Sequence, residues 1–429
     1  MTDASHPRRA PPSPWWIVTL DEHVRPTDSQ PAAMRRRWRA LARLLRSEDP
    51  DQAHARAETE LRSLPNVRLE HLAPALDWSA AAEALASFLR DESARPPDAS
   101  HARVRVLVCP PHCAHEQILA HWAARHGARI LDLPDEADVL ADTPRWLESL
   151  PPPPTDDRDA RPWVLPRLER CFLRHAQGLT LLRSFLAAAF SGRLGPGLIG
   201  CDSWAFAYVQ RIWPLPAGVA LTLQGFDGSA LAEHFIRPFC SGVHAVEFRS
   251  ARSGKPLLPE PDSDGEDRDA AIAPELRQLA AHVRGNPGLA WHYWRERLRS
   301  APQAQPAQDG ESGTAPSAAD TASRGMTLGE DVVWLGEDIA PPGLPADSGD
   351  DHAFIFHALL IHRSLPTALL AHLLPTPEPR LQSLLLRLEA LGLVARDGGG
   401  EAARWQVPPL AYLTVREFLR SRSYLTDAF

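Results

Sequence analysis

The sequence predicts an α/β fold: a parallel-sheet domain with a helical pair appended, followed by a small α+β module. Three observations predict it. From His101 to about Phe248, the short apolar stretches RVRVLV, ARILDL, PWVLP, GPGLIGC and GVALTLQGF alternate with helical patterns, and such alternation implies a parallel sheet covered on both faces. Within it, VLVCPPHCAHEQIL (106–119) runs from a strand through a tight turn into a helix. Far downstream, three helical stretches lead into two strands around a Gly-rich turn.

The chain has 429 residues, enough for roughly two to four domains and a sizeable core. Its net charge is −8, and its basic residues are almost all arginine, with Lys255 the only lysine. The Arg, Ala and Pro bias matches a GC-rich, bacterial genome. Its chemical consequence is that no lysine is on hand for a phosphate loop or a Schiff base unless Lys255 serves, and Lys255 sits in a Ser/Gly/Pro/Asp-rich stretch. The scattered Cys109, Cys113, Cys171, Cys201 and Cys240 are odd in number and lie mostly in apolar surroundings, the pattern of a reducing cytoplasm. The N-terminus lacks an apolar signal core, and no run approaches the ~20 apolar residues that span a bilayer.

Residues 1–14 are Pro-rich and charged and are expected to be disordered. Residues 15–100 read as mostly helical, with PWWIVTL a short strand and AAMRRRWRALARLLRSE an amphipathic helix. That helix carries Trp38, Leu41, Leu44 and Leu45 on one face and Arg35, Arg36, Arg39, Arg43 and Arg46 around the other. A solvated arginine face on a core-packed helix and attachment to an anionic surface both fit it. The α/β domain spans 101–250, a flexible insertion 251–272, and a helical pair 273–300 made of IAPELRQLAAHVRG and PGLAWHYWRERLRS. Residues 301–330 have almost nothing to bury and are expected to be a disordered linker. In 331–429, HAFIFHALLIHR, PTALLAHLL and EPRLQSLLLRLEAL precede the hairpin GLVARDGGGEAARWQV, the order of a winged helix, and LAYLTVREFLRSRSYLTDAF adds one more helix.

Three marks converge at this point: the strand-turn-helix at 104–124, PWVLPRLERCFLRHAQGLTLLRSFL further on, and GLIGCDSWAFAYV after that. Their succession resembles the Walker A, Walker B and sensor-1 order of AAA+ and STAND-type P-loop ATPases. GNPGLAWHYWRERL (285–298) resembles the lid helix of the same group, in which a winged helix after the lid is common. The resemblance covers about residues 100–429.

Carried over position by position, it implies a degenerate site. The P-loop lysine falls on His115 and the Mg²⁺-holding Ser/Thr on Glu116, whose carboxylate repels phosphate. Cys109 and Ala114 replace the glycines that let backbone N–H groups curl around phosphate, and Pro110 and Pro111 stiffen the turn and remove donors. At the Walker B strand the acidic pair falls on Pro166 and Arg167, leaving Glu169 as the nearest acid; sensor 1 falls on Asp202 or Ser203. Gly288 stands where a sensor-2 arginine usually follows, with Arg295 or Arg297 as substitutes on the same helix.

Other chemistries fit less well. Cys109, His112, Cys113 and His115 are zinc-type ligands, but structural zinc draws on two separated pairs rather than one tight turn. GCDSWA departs from the Gly-x-Ser-x-Gly of a nucleophile elbow. On the third helix of the module only Arg380, Gln382, Ser383 and Arg387 suit DNA contact, with Glu378 and Glu389 beside them. From Asp351 onward eight Arg face seven Asp/Glu, without the basic excess of a DNA-binding domain.

The expectation is therefore a cytoplasmic, non-catalytic AAA+/STAND-like pseudo-ATPase that acts as a regulatory or scaffolding protein-binding molecule, with no cofactor, a protein partner, DNA disfavoured and oligomerisation open. The alternative is a nucleotide-dependent DNA-binding ATPase in which residues 109–116 still hold ATP and the winged helix contacts DNA. A third reading is an interaction protein without a ligand site.

Overall fold

The computed structural model describes residues 14–26, 61–93, 103–141, 145–152, 161–241, 245–258, 272–300, 331–399 and 403–429. The basic helix expected around Arg35–Arg46, residues 1–13 of the Pro-rich start, most of the 251–272 insertion and the 301–330 linker lie outside them.

A six-stranded sheet forms the centre of the molecule. Its strands are β1 (Ile17–Thr19), β3 (Val104–Cys109), β4 (Arg129–Ile130), β5 (Trp163–Leu165), β6 (Gly197–Asp202) and β7 (Ala220–Leu223), in the order β1-β7-β3-β6-β5-β4. The five strands read from the sequence all enter it and run parallel. β3 and β6 are buried along their whole length, which is why they read as continuous apolar runs rather than alternating ones. β1 is an addition: Ile17–Thr19 pairs antiparallel with β7, so PWWIVTL belongs to the edge of this sheet and not to a separate N-terminal region. Trp15 anchors it against Trp78 and Phe226, at ring separations of 5.3 and 4.7 Å.

The covering helices are α1 (Asn66–Leu72), α2 (Ser79–Ser93), α3 (His115–His126), α4 (Glu136–Leu140), α5 (Thr180–Phe190), α6 (Ser203–Ile212) and α7 (Gly228–Phe235). Those of the appended pair are α8 (Pro274–His282) and α9 (Pro287–Arg297). Aspartates cap α6 and α7: Asp202 Oδ1 accepts from Trp204 N–H at 3.0 Å, and Asp227 Oδ1 from Ala230 N–H at 2.8 Å.

A second sheet was not visible in the sequence. β2 (Arg62–Ser63), β8 (Val246–Ser250), β9 (Leu298–Ser300) and β10 (Asp331–Leu335) form it in the order β2-β9-β10-β8. The helix expected to run to Ser300 therefore stops at Arg297, because residues 298–300 gain strand partners in both β2 and β10.

The C-terminal module runs α10 (Asp350–His362), β11 (Leu365–Pro366), α11 (Thr367–Leu373), α12 (Glu378–Ala390), β12 (Ala395–Asp397), β13 (Arg404–Gln406) and α13 (Pro409–Ser421). Its small antiparallel sheet has the order β11-β13-β12. α10 is buried on nearly every side because it packs on α6 of the main domain as well as on α13. No helix among the described residues is long and apolar enough to cross a membrane.

Candidate functional site

The carboxyl ends of β3 and β6 lie side by side, with Cys109 opposite Asp202, and place the 109–116 turn at the middle of the sheet edge. After β3 the chain makes a tight turn, Cys113 N–H donating to Pro110 O at 3.2 Å. His112 (φ 68°) and Ala114 (φ 42°) take left-handed conformations that disfavour a side-chain-bearing residue. Two prolines without N–H groups and a left-handed alanine in front of the helix leave a poor phosphate cradle.

The first residue of α3 is His115, buried at 1% exposure. Gly200 on β6 makes room for it: a Cβ there would sit 2.8 Å from His115 Cδ2 and 2.3 Å from Pro166 O. His115 Nε2 is 3.4 Å from Oε1 of the equally buried Glu169. Glu169 also accepts from Arg167 Nε at 3.2 Å and from the Asp202 N–H at 3.3 Å. Burial alone would raise the Glu169 carboxyl, but His115, Arg167 and Arg363 outweigh it and hold the group well below the usual carboxylate range. Its neighbour Asp202 goes the other way, pushed well above that range by burial and by the Glu169 charge. Two adjacent buried carboxyls cannot both ionise, and the one with cationic partners keeps the charge.

Glu116 points to arginines of its own chain, Arg167 Nε at 3.5 Å and Arg363 Nη2 at 3.4 Å. Cys109 and Cys113 are buried against each other, and the Cys113 hydrogen bond, together with burial, pushes the Cys109 thiol far up. His112 faces His292 and Tyr412, and burial holds it down at about 3. The cysteines and histidines of this turn thus point to three different places and do not converge. Among the described residues no group of three or more His, Cys, Asp or Glu is arranged to hold a metal.

The α8–α9 connection closes the turn from above. Asn286, which caps α9 by accepting from Leu289 N–H at 3.1 Å, donates from Nδ2 to Pro111 O at 2.7 Å. Gly288 lies flat on the turn, with an ideal Cβ position only 1.8 Å from His112 O. Arg295 and Arg297 are engaged elsewhere, donating to Ala73 O (2.8 Å) and to Gly336 O (3.2 and 3.1 Å). The arginine that reaches inward from this connection is Arg284, two residues ahead of Asn286.

The C-terminal module closes the remaining side. Ser203 Oγ donates to Asp427 Oδ2 at 2.6 Å, Trp204 Nε1 to the Tyr412 hydroxyl at 3.1 Å, and Arg404 Nη1 pairs with Glu136 at 3.0 Å. Arg174 N–H donates to His362 Nε2 at 3.2 Å, and its guanidinium lies 2.7 Å from His357 Nδ1. Between turn and module remains a cavity of about 40 Å³, lined by Pro111, His112, Asp202, Arg363 and Gln406 among others. That is room for a few waters.

Cys109, Ala114, His115, Glu116, Glu169, Asp202 and Ser203 are therefore gathered at one place. Sequence reasoning missed Arg284, Asn286, Arg363, Tyr412, Arg416 and Asp427, which come from segments remote in the chain. On α12, Arg380 pairs with Asp351 at 2.5 Å, Arg387 is bidentate to Asp347 at 2.8 Å twice, and Gln382 donates to Glu378 at 3.3 Å. Leu381, Leu385 and Leu388 are buried in the module, whereas Leu386 is 54% exposed.

No family model and no curated protein matches the chain. Among solved structures it is similar to a Walker-type ATPase of Pyrococcus abyssi, at 14% identity over 80% of this chain and 95% of that one, with a TM-score of 0.29. This likeness is too distant to bear on what the chain does.

Proposed function

We propose that this chain is a non-catalytic, AAA+/STAND-like pseudo-ATPase, a regulatory or scaffolding protein whose C-terminal winged-helix module docks on its own degenerate nucleotide site. One observation carries the reading: apart from a small cavity beside Pro111 and His112, the 109–116 turn is covered by this chain. His115 in the lysine position is turned to Glu169, Glu116 is neutralised by Arg167 and Arg363, and Asn286 and Gly288 sit on the turn itself. A phosphate chain would have to displace all three contacts and would find no lysine and few N–H donors in return. Helix, strand, helix, helix and hairpin, with a three-stranded antiparallel sheet, support the winged-helix reading of the module. The partner is a protein, met on surfaces of a preassembled scaffold rather than through turnover.

Isothermal calorimetry with ATP and ADP at millimolar concentration, with and without Mg²⁺, tests this directly. The expected result is no measurable heat of binding. A micromolar Kd would instead promote a nucleotide-dependent DNA-binding ATPase.

A further inference from the structure

After α13 ends at Ser421 the chain leaves the helix, with Ser423 in a left-handed conformation (φ 59°), and residues 424–429 run into the recess between the main sheet, the α8–α9 connection and the module. They are gripped at several points. His357 Nε2 lies 3.2 Å from Leu425 O. The Asp427 carboxyl accepts from Ser203 Oγ (2.6 Å), the Tyr412 hydroxyl (3.3 Å) and Arg416 Nε and Nη2 (3.3 and 3.2 Å). Phe429 O accepts from Arg416 Nη2 (2.5 Å) and Arg284 Nη2 (2.6 Å), and the Phe429 ring packs on His23 with centroids 4.9 Å apart.

This contact is unlike the rest of the core. Ser203, Tyr412, Arg416 and Asp427 are each less than 7% exposed, and three of them are aimed at the fourth. Two guanidiniums, those of Arg416 and Arg284, face the Asp427 carboxyl and the Phe429 main-chain oxygen, and Arg284 Nε is buried with no acceptor. A guanidinium nitrogen left unpaired beside a contact made of charged groups favours exchange for an equivalent occupant over permanent closure, since any segment leaving the recess must be replaced by water or by groups of the same kind. An acid, a spacer and an aromatic residue, Asp427-Ala428-Phe429, are what the recess reads.

We propose that this recess is a recognition site for a short Asp-X-Phe peptide segment, filled in cis by residues 427–429 and open to a peptide of the same chemistry in trans when those residues leave. It takes the docked module of the preceding reading one step further, but its test reads peptide and not nucleotide, so that the two fail separately.

The probe is a fluorescein-labelled, C-terminally amidated peptide Tyr-Leu-Thr-Asp-Ala-Phe, followed by anisotropy with the full chain and with a chain ending at Tyr424. The shortened chain is expected to bind it about tenfold or more tightly than the full chain, and replacing the peptide aspartate by asparagine is expected to cost about tenfold, the worth of a charge-assisted hydrogen bond. Equal binding to both chains, or indifference to the asparagine, overturns the proposal. Should the shortened chain not fold, hydrogen exchange of residues 424–429 in the intact chain decides. Excess peptide is expected to accelerate it, and unchanged protection overturns the inference.

Discussion

Replacing Gly288 by alanine is expected to destabilise the chain by about 1–3 kcal/mol, the usual cost of forcing a methyl group into filled space. Gly288 is in the first turn of α9, and its added Cβ would stand 1.8 Å from His112 O and 2.8 Å from His112 C. No carbon–oxygen contact survives at that distance, and the obstacle is backbone in a turn stiffened by Pro110 and Pro111, so it cannot rotate aside as a side chain would. An opposing effect makes the test sharp. Alanine is favoured over glycine in a helix by up to about 1 kcal/mol, so if α9 stood clear of the turn in solution the same substitution would stabilise the chain. The sign of the change thus reports whether the site is closed. Urea denaturation followed by tryptophan fluorescence measures it, with Gly343→Ala as a control, since nothing lies within 4 Å of a Cβ there. The control is expected within about 0.5 kcal/mol of the parent. A midpoint raised by Gly288→Ala would refute the closed site and, with it, the argument against nucleotide.

The interface between main domain and module should be sensitive to acid. His357 and His362 are held down from 6.5 to about 4 and about 3, chiefly by burial, so the unfolded chain binds protons that the folded one refuses. Stability is then complete above about pH 6.5 and falls as the pH drops towards those values, by about 1 kcal/mol per ring at about pH 5.5, and denaturation midpoints across that range check it. Mixed-sequence duplex DNA at low salt is expected to show no submicromolar, salt-sensitive anisotropy change with the full chain, because Arg380 and Arg387 already pair with Asp351 and Asp347. Submicromolar, salt-sensitive binding that disappears in an Arg380→Ala, Arg387→Ala double variant would refute that.

β3, β5 and β6 were legible because each is an apolar run bounded by turn residues, and a run buried on both faces needs no periodicity to be recognised, whereas β4 is two exposed residues placed by pairing with β5. The turn at 109–116 was legible as a place and as a loss of chemistry, since lysine and glycine are either present or not. What replaced that chemistry was not. The His115–Glu169 pair depends on β3 and β5 delivering their ends to one point, and the Ser203–Asp427 hydrogen bond joins residues 224 positions apart. Neither leaves a local pattern. LAYLTVREFLRSRSYLTDAF reads as one helix, yet helix stops at Ser421, and nothing in its spacing reveals that Asp427 has Arg416 and Ser203 waiting for it. The short strands β2 and β9 were hidden for the opposite reason: Arg62–Ser63 and Leu298–Ser300 are too brief to carry alternation and take their conformation from their partners.

That second sheet has a consequence for how the chain is made. Its strands come from residues 62–63, 246–250, 298–300 and 331–335, and Leu61, Ala251 and Trp334 form an apolar cluster of their own beside it. During synthesis Leu61 leaves the ribosome long before Trp334, and pairings that close such long loops are slow to form. The sheet therefore cannot close until residues 331–335 have been made, so it is completed only after more than three quarters of the chain has been synthesised.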